Sequence, residues 1–252
     1  MQALAAASHP RKGRVGLKYG FFITATDTGV GKTVITAALA KVLRAEGRDV
    51  GVMKPVATGC VHRREGLVSE DAEFLAHAAD APEPLAEINP IRLASPLAPT
   101  VAAARAKTEL DLAPMWAAWR RLRDAHEILL IEGIGGILCP ITRKMFVADM
   151  AVRFGMPVLI IARPNLGTIN HTALTVEAAK SRGLGVAGII INRYDRDTED
   201  VAQMTAPEEI QRATGVPVLG LVPDDPATSV AKGEIGEDVL AAIRLLPLGR
   251  LF

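Results

Sequence analysis

Apolar residues occur along the chain in short unbroken runs, and most runs are followed by a segment with helical character. The runs predict buried strands, at 21–24, 50–55, a run ending at 132, 157–162, 186–192 and 217–223. The segments predicted as helices are 34–40, 69–75, 110–124, 170–182 and 237–246. Alternating strands and helices predict an α/β fold with a doubly wound, mainly parallel sheet and right-handed crossovers. A single domain over residues 19–252 is the expected organisation.

Two segments fall outside this pattern. Residues 80–100 are rich in proline, and we predict a long irregular loop there, of a size that is often functional. Residues 1–18 are first alanine-rich and then basic. A secretory signal has its charges before its apolar core, which is the reverse order. We therefore predict a disordered leader over residues 1–18.

Composition narrows the classes of partner. The 252 residues include 29 Lys and Arg against 28 Asp and Glu, and this balance does not favour a nucleic-acid surface. We expect no membrane partner, because no apolar run reaches the roughly 18 residues of a membrane span. The two cysteines, Cys60 and Cys139, lack the spacing of metal ligands. A reducing, cytoplasmic compartment fits this cysteine usage.

The segment between the first predicted strand and the first predicted helix is a glycine-containing turn that ends in Gly-Lys-Thr. In a phosphate-binding loop (P-loop), backbone N–H groups at the helix N-terminus bind the anion and the helix dipole favours its charge. Lys32 would reach the β- and γ-phosphates, and the Thr33 hydroxyl would bind Mg²⁺. Ala25 stands where such loops commonly have Gly, so we predict a negative φ at Ala25. The predicted loop residues are Thr28, Gly29, Val30, Gly31, Lys32 and Thr33.

Charged and polar residues follow several predicted strands, at the edge where open parallel sheets bind ligands. Lys54 ends the second strand and is either a solvated lysine or a second cation facing phosphate. Glu132 ends a buried strand, where an acid of a P-loop protein usually serves Mg²⁺. Asn192 ends another strand. Three acids follow Ser69 at a predicted helix start, and the sequence leaves open whether Glu70, Asp71 or Glu73 serves a metal or only complements the helix dipole.

These residues indicate a protein with the P-loop NTPase fold that binds a nucleoside triphosphate and depends on Mg²⁺. Longer motifs resemble the dethiobiotin synthetase family over roughly residues 20–225. In chain order they are TATDTGVGKT, KPVATG, EDAEFL, NPIRLASPLAPTVAA, IEGIGGILCPIT, VLIIARPNLGTINHTALT and GIIINR. The resemblance implies that ATP and Mg²⁺ support the joining of CO₂ to 7,8-diaminononanoate. The product is the cyclic urea dethiobiotin, formed through a carbamate and a carbamic–phosphoric anhydride.

The resemblance also implies roles for individual residues. It assigns Mg²⁺ to Thr33, Asp71 and Glu132, and catalysis to Lys32, Lys54 and Thr28. It adds Asn192 and Pro223 to the nucleotide site, with Asn192 reading adenine. It implies a homodimer with its substrate sites at the subunit interface, where residues 168–170 reach the partner's substrate near its carboxylate end. The substrate-binding residues implied are Thr58, Gly133, Gly135, Gly136, Thr168, Ile169 and Asn170.

Some residues depart from the family pattern. Ala25 and Gly29 replace Gly and Glu in the P-loop, and Ile134 replaces a small residue in the glycine-rich segment.

The alternative function is a switch ATPase of the partitioning or metallochaperone type, acting on a protein partner. Those proteins usually carry a signature lysine where this chain has Thr26. An idle regulatory module would not be expected to retain Lys32, Lys54 and the acids.

Overall fold

The computed structural model describes residues 17–64 and 66–251. Its strands are β1 Tyr19–Ala25, β2 Val50–Met53, β3 Val56–Thr58, β4 Val61–Arg63, β5 Gly66–Val68, β6 Ile91–Leu93, β7 Ile128–Glu132, β8 Pro140–Thr142, β9 Met145–Phe146, β10 Val158–Ala162, β11 Val186–Asn192 and β12 Val218–Val222. Its helices are α1 Lys32–Ala45, α2 Glu70–Ala78, α3 Leu85–Ile88, α4 Pro99–Arg105, α5 Ala113–Ala125, α6 Val147–Phe154, α7 Thr168–Lys180, α8 Val201–Thr214, α9 Glu237–Arg244 and α10 Leu248–Leu251.

The main sheet has six strands in the order β12-β11-β10-β1-β7-β2, and every neighbouring pair is parallel. The strand before the P-loop therefore lies in the interior of the sheet, where Phe22 is paired with Val158 on one side and Ile131 on the other. This arrangement confirms the predicted doubly wound parallel fold. It also brings the loops that follow β1, β2, β7 and β11 to one edge.

Hydrophobic cores cover both faces of the sheet, because successive side chains of a strand point in opposite directions. Phe21 and Ile23 pack with residues of α1, α2 and α9 on the first face. Phe22 packs with residues of α5, α6, α7 and α8 on the second face, where its ring stacks on Phe154 with centroids 6.0 Å apart. Both faces of the central strands are thus buried, which explains their continuous apolar runs.

The prediction of an irregular loop over 80–100 is wrong. This segment contains α3 and β6 and the start of α4, and β6 pairs in parallel with β3. Pro84 precedes α3 and Pro99 opens α4, positions where a missing N–H leaves no helical hydrogen bond unmade. The buried Asn89 side chain joins these pieces, since its Nδ2 donates to the carbonyl of Lys54 at 2.6 Å.

The structure also bears on the predicted N-terminal leader and on the predicted helices. The predicted leader falls mostly on residues 1–16, which lie outside the described residues; Lys18 is described, and its N–H donates to the Glu127 carbonyl at 2.9 Å. The sequence pattern does not predict α6 or α8, which complete crossovers on the second face. Of the helices in the described segments, none is both long and apolar enough to cross a membrane.

Candidate active site

The P-loop is shaped by two glycines with left-handed backbone. Gly29 has φ +76° and Gly31 has φ +95°, and Gly31 directly precedes α1. A Cβ on Gly31 would lie 2.0 Å from Nδ2 of Asn192, so both the backbone and the space require glycine. The first turn of α1 receives no side-chain cap, which leaves its N–H groups available to an anion. Ala25 ends β1 in extended backbone, and the predicted negative φ is confirmed.

A cluster of opposite charges stands at the carboxyl edge of the sheet. Lys54, which follows β2, is 3% exposed, and Glu132 at the end of β7 is fully buried. The Lys54 ammonium lies 3.0 Å from Asp71 Oδ2 and contacts Glu132 Oε1 directly. Thr33 Oγ1 also donates to Glu132 Oε1, at 2.9 Å. The three residues predicted to bind metal therefore meet around Lys54.

The geometry also separates the three acids that the sequence could not distinguish. Ser69 caps α2, as predicted, since its hydroxyl accepts from the Ala72 N–H at 3.3 Å. Asp71, in the first turn, points to Lys54, whereas Glu73 pairs with Arg63 at 2.5 Å. Consecutive helical residues point in different directions, so only one of the acids reaches the cluster.

Burial and neighbouring charges shift the pKa values of both lysines in this region. Burial alone would lower the pKa of Lys54, but the carboxylates of Glu132 and Asp71 outweigh it and hold that pKa above its ordinary value. Burial lowers the pKa of Lys32 to about 8, against the opposing attraction of Glu132. Lys32 Nζ donates to the Gly135 carbonyl at 2.8 Å, so the P-loop lysine is directed at the glycine-rich segment after β7.

The donors around Glu132 fit Mg²⁺. Glu132 Oε2 is buried and makes no hydrogen bond, and the Thr33 hydroxyl and Asp71 carboxylate lie beside the same side chain or its lysine partner. Within the described segments, no group of three or more His, Cys, Asp or Glu gathers as metal ligands. Mg²⁺ does not require such a group, because it usually takes one or two carboxylates together with water and substrate phosphates.

A cavity of about 550 Å³ opens beside this cluster. Its lining includes these residues predicted for the site: Thr28, Gly29, Gly31, Lys32, Thr33, Lys54, Thr58, Asp71, Glu132 and Gly135. The lining also contains Arg193 and Val230, which the sequence did not identify, and residues 96–99 of the proline-rich segment, for which the sequence named no individual site residue. Arg193 has φ +58°, an uncommon backbone for an arginine that no sequence pattern reveals. The expectation that the proline-rich segment is functional agrees with its place in this wall.

Three residues predicted for the nucleotide, Val30, Asn192 and Pro223, lie away from this lining. Asn192 is 3% exposed, and its Nδ2 donates to the Val30 carbonyl at 2.8 Å, so its visible contact supports the P-loop. Pro223 lines a second cavity of about 570 Å³, together with Arg193 and Asp224. Because Arg193 borders both cavities, the second lies next to the first. Adenine reading by Asn192 stays a prediction.

The remaining predicted substrate residues stand outside this lining as well. Gly133 packs under Phe22, since an added Cβ would lie 2.9 Å from the ring, and the Gly136 carbonyl accepts from Cys139 at 3.0 Å. Thr168 and Ile169 open α7 and Asn170 is exposed on it. Their roles toward substrate stay predictions.

The sequence is similar to a known family model and to known proteins. A family model described as an AAA domain matches residues 19–232. The ATP-dependent dethiobiotin synthetase BioD of Thermodesulfovibrio yellowstonii is 38% identical over 231 residues, which cover 89% of this chain and 95% of that protein. The protein of the same name from Anaeromyxobacter sp. (strain K) is 42% identical over 225 residues, covering 89% of this chain and 99% of that protein.

Solved structures of lower identity share the fold. The septum site-determining protein MinD of Pyrococcus horikoshii, complexed with Mg-ADP, has a TM-score of 0.54 at 19% identity, covering 90% of this chain and 94% of that one. A ParA family ATPase of Chlorobium tepidum has a TM-score of 0.55 at 16% identity, covering 90% of this chain and 96% of that one. At this identity the likeness establishes a P-loop α/β fold and no more.

Proposed function

Because the chain belongs to the ATP-dependent dethiobiotin synthetase family, as its sequence motifs suggested, we propose that it forms dethiobiotin from 7,8-diaminononanoate and CO₂ in biotin biosynthesis. The protein is an ATP-using ligase. The observation that carries the proposal is the placement of Lys54 between Asp71 and Glu132, on the wall of the cavity that the P-loop also lines.

The chemistry explains why positive charge is concentrated there. CO₂ adds to one amine of the substrate, a nitrogen–carbon bond forms and a proton leaves, which gives a carbamate. A carbamate oxygen then attacks the γ-phosphorus of ATP, and the bond to the β-phosphate oxygen breaks to release ADP. The second amine attacks the carbamoyl carbon of the resulting anhydride, phosphate leaves with its oxygen, a proton is lost, and the ring closes.

The attack step brings two anions together, and it needs preorganised positive charge. Lys32 and Lys54, which both line the cavity, supply that charge. Lys32 exchanges the Gly135 carbonyl for the β- and γ-phosphate oxygens, and Lys54 faces the carbamate and the γ-phosphate. Thr28 and Thr58 line the same cavity and orient the two anions.

Mg²⁺ would be held by Thr33, Asp71 and Glu132, whose oxygen donors suit a hard cation. When bound, it neutralises charge on the β- and γ-phosphates. Each of the three residues belongs to a different element, α1, α2 or β7. In the proposed complex, Asn192 and Pro223 contact the adenine end of the nucleotide.

The substrate site is completed by a second copy of the chain in our proposal. Residues 168–170, Gly133 and Gly136 would contact the diamine, with its carboxylate near the start of α7. Leu166 is 82% exposed before α7, and Leu174 is 60% exposed on the helix face that also carries Asn170. Exposed apolar residues around a polar loop support a contact between copies at this point.

The test is phosphate release from MgATP in bicarbonate buffer, with and without 7,8-diaminononanoate, together with mass detection of the cyclic urea. We expect release to require the diamine, CO₂ and Mg²⁺, so excess chelator abolishes it. Slow release indifferent to the diamine would contradict the proposal and favour a switch ATPase that acts on a protein partner.

A further inference from the structure

Arg163 is a half-buried cation that lacks an anion. It follows β10 at the carboxyl edge of the sheet, and its Nε is buried and makes no hydrogen bond. Among the described residues, its side chain makes one hydrogen bond, between Nη2 and Nδ1 of His171 at 3.5 Å. Within residues 17–64 and 66–251 it forms no ion pair, although Arg182, just after α7, and Arg212 on α8 each pair with a carboxylate. A guanidinium removed from water in this way calls for a charged partner.

Two hydrogen bonds place the backbone of the segment that carries Arg163. The N–H of Thr26 donates to the Ile161 carbonyl at 3.0 Å, so the end of β10 is directly beside the start of the P-loop. The hydroxyl of Thr168 donates to the Arg163 carbonyl, which ties the arginine to the first residue of α7. Gly167 gives α7 no side-chain cap, and the N–H of Thr168 donates to the Asn165 carbonyl at 3.0 Å, which leaves the N–H groups of Ile169 and Asn170 without a side-chain acceptor. Two independent sources of positive potential thus adjoin each other.

The triphosphate is not the anion that fits. The P-loop leads into α1, which packs on the first face of the sheet, whereas the Arg163 guanidinium contacts His171 of α7 on the second face. The phosphates already have Lys32, Lys54 and the N-terminus of α1. The other permanent anion of the proposed reaction is the carboxylate of the diamino acid.

We propose that Arg163 binds the carboxylate of the diamino acid substrate, with His171 orienting the guanidinium, and that it thereby selects an acid-terminated diamine. The inference rests on the proposed function. A planar guanidinium matches a carboxylate with two parallel hydrogen bonds, which a lysine cannot reproduce. Arg163 is then a specificity-determining residue that takes no part in phosphoryl transfer.

The experiment compares Arg163→Gln and Arg163→Lys with the wild type, using 7,8-diaminononanoate and its methyl ester as substrates. For Arg163→Gln we expect the KM for the acid to rise about 10- to 100-fold, since a charge-assisted pair contributes on that order. We expect kcat and the KM for ATP to stay within about twofold, and the KM for the ester to stay unchanged. Arg163→Lys should recover part of the loss. The control, Arg212→Gln on α8, removes an exposed arginine and should leave the KM for the acid and for the ester unchanged.

Several results would overturn the inference. Equal changes for acid and ester would mean that Arg163 only supports the fold near α7. Dissociation of a dimer in sedimentation, with unchanged KM in the remaining dimer, would assign its anion to a second copy. If Arg163→Gln does not fold, Arg163→Lys still has to raise the KM for the acid and not for the ester. If the wild type requires the diamine and Arg163→Gln has normal kinetics, this inference is wrong and the proposed function stands. If phosphate release by the wild type does not depend on the diamine, both are wrong.

Discussion

Strands β2 and β7 carry a basic side chain between two carboxylates at each of their ends. At the carboxyl end, Lys54 lies between Asp71 and Glu132. At the amino end, His126 lies between Asp49 and Glu83, with each ring nitrogen 2.9 Å from a carboxylate oxygen. The two clusters have the same composition of charge and share the same pair of strands.

Their surroundings differ. The His126 ring fills the space over Gly51, where an added Cβ would lie 2.4 Å from Cδ2. Lys54 borders an open cavity that it shares with the P-loop. Each cluster leaves one buried carboxylate oxygen without a hydrogen bond, Oε2 of Glu132 and Oε2 of Glu83, so an unpaired oxygen does not by itself mark a binding site. What marks the site is space for a ligand next to other groups that would bind it.

The largest expected effect comes from breaking the cluster at the carboxyl end. Lys54→Ala should lower kcat by about 10²- to 10³-fold, the usual loss when one preorganised charge is removed from a transition state. ATP affinity should fall far less, because Lys32 and the P-loop remain. Steady-state kinetics and nucleotide titration measure the two quantities, and the exposed Lys41→Ala is the control. Equal losses of turnover and ATP affinity would remove Lys54 from the reacting centre.

The amino end should respond in stability and not in catalysis. Gly51→Ala forces a methyl group into the His126 ring and should lower the free energy of unfolding by about 1–3 kcal/mol. Turnover per folded molecule should stay normal. Gly185→Ala is the matched control, since its Cβ would meet only Pro157, at 4.0 Å. Denaturant unfolding checks both variants; a fall in kcat for Gly51→Ala without loss of stability would erase the distinction between the two ends.

The amino end should also make stability depend on pH. Burial alone would lower the pKa of His126, but the hydrogen bonds that its ring donates to the carboxylates of Glu83 and Asp49, and the charges of those carboxylates, outweigh it and raise that pKa above its usual 6.5. The charged imidazole therefore stabilises the fold fully below about pH 6.5, and this contribution disappears as pH rises through the folded-state pKa. From the usual strength of hydrogen bonds to charged groups, we expect the charged form of His126 to add about 1.5 kcal/mol to the free energy of unfolding.

Wild type and His126→Gln should thus differ in unfolding free energy at pH 5.5 and converge at high pH. Urea unfolding across this range provides the measurement. A difference that grows as pH rises would show that the neutral imidazole is the form that the fold prefers.

The smallest effect is expected at Asn192, where a substitution tests whether this residue at the carboxyl edge contacts the base of the nucleotide. Asn192→Ala should relax the preference for ATP over other triphosphates by a few-fold, as one base contact is lost. The ratio of kcat/KM for ATP and GTP measures this. An unchanged ratio with weaker binding of both nucleotides would leave Asn192 with its bond to Val30 as its main role.

The strands of the main sheet could be predicted because their burial on both faces gives unbroken apolar runs. Helix α8 could not, since it contains Pro207 and buries few of its residues. The short elements that follow α2, namely α3, β6 and α4, could not be predicted, because prolines that open helices were interpreted as preventing them.

The candidate site was predictable where a residue ends a strand, as Glu132 does, or follows one directly, as Lys54 does. The choice of Asp71 over its neighbours needed the family resemblance or the geometry, because the direction of a side chain in the first helical turn depends on how the helix is placed. Arg193 and Val230 reach the cavity from distant parts of the chain, and local sequence carries no signal of such an approach.

The interior position of β1 has a consequence for how the protein is made. This strand leaves the ribosome among the first described residues, yet its partners in the sheet are β7 and β10, the latter at Val158–Ala162. Pairings of such large sequence separation form slowly, because the ends of a long loop must first meet. A nascent chain that stops short of β10 has its Gly-Lys-Thr segment complete but only one of the two strands that hold it. ATP binding should therefore begin only after β10 has been synthesised and has paired with β1.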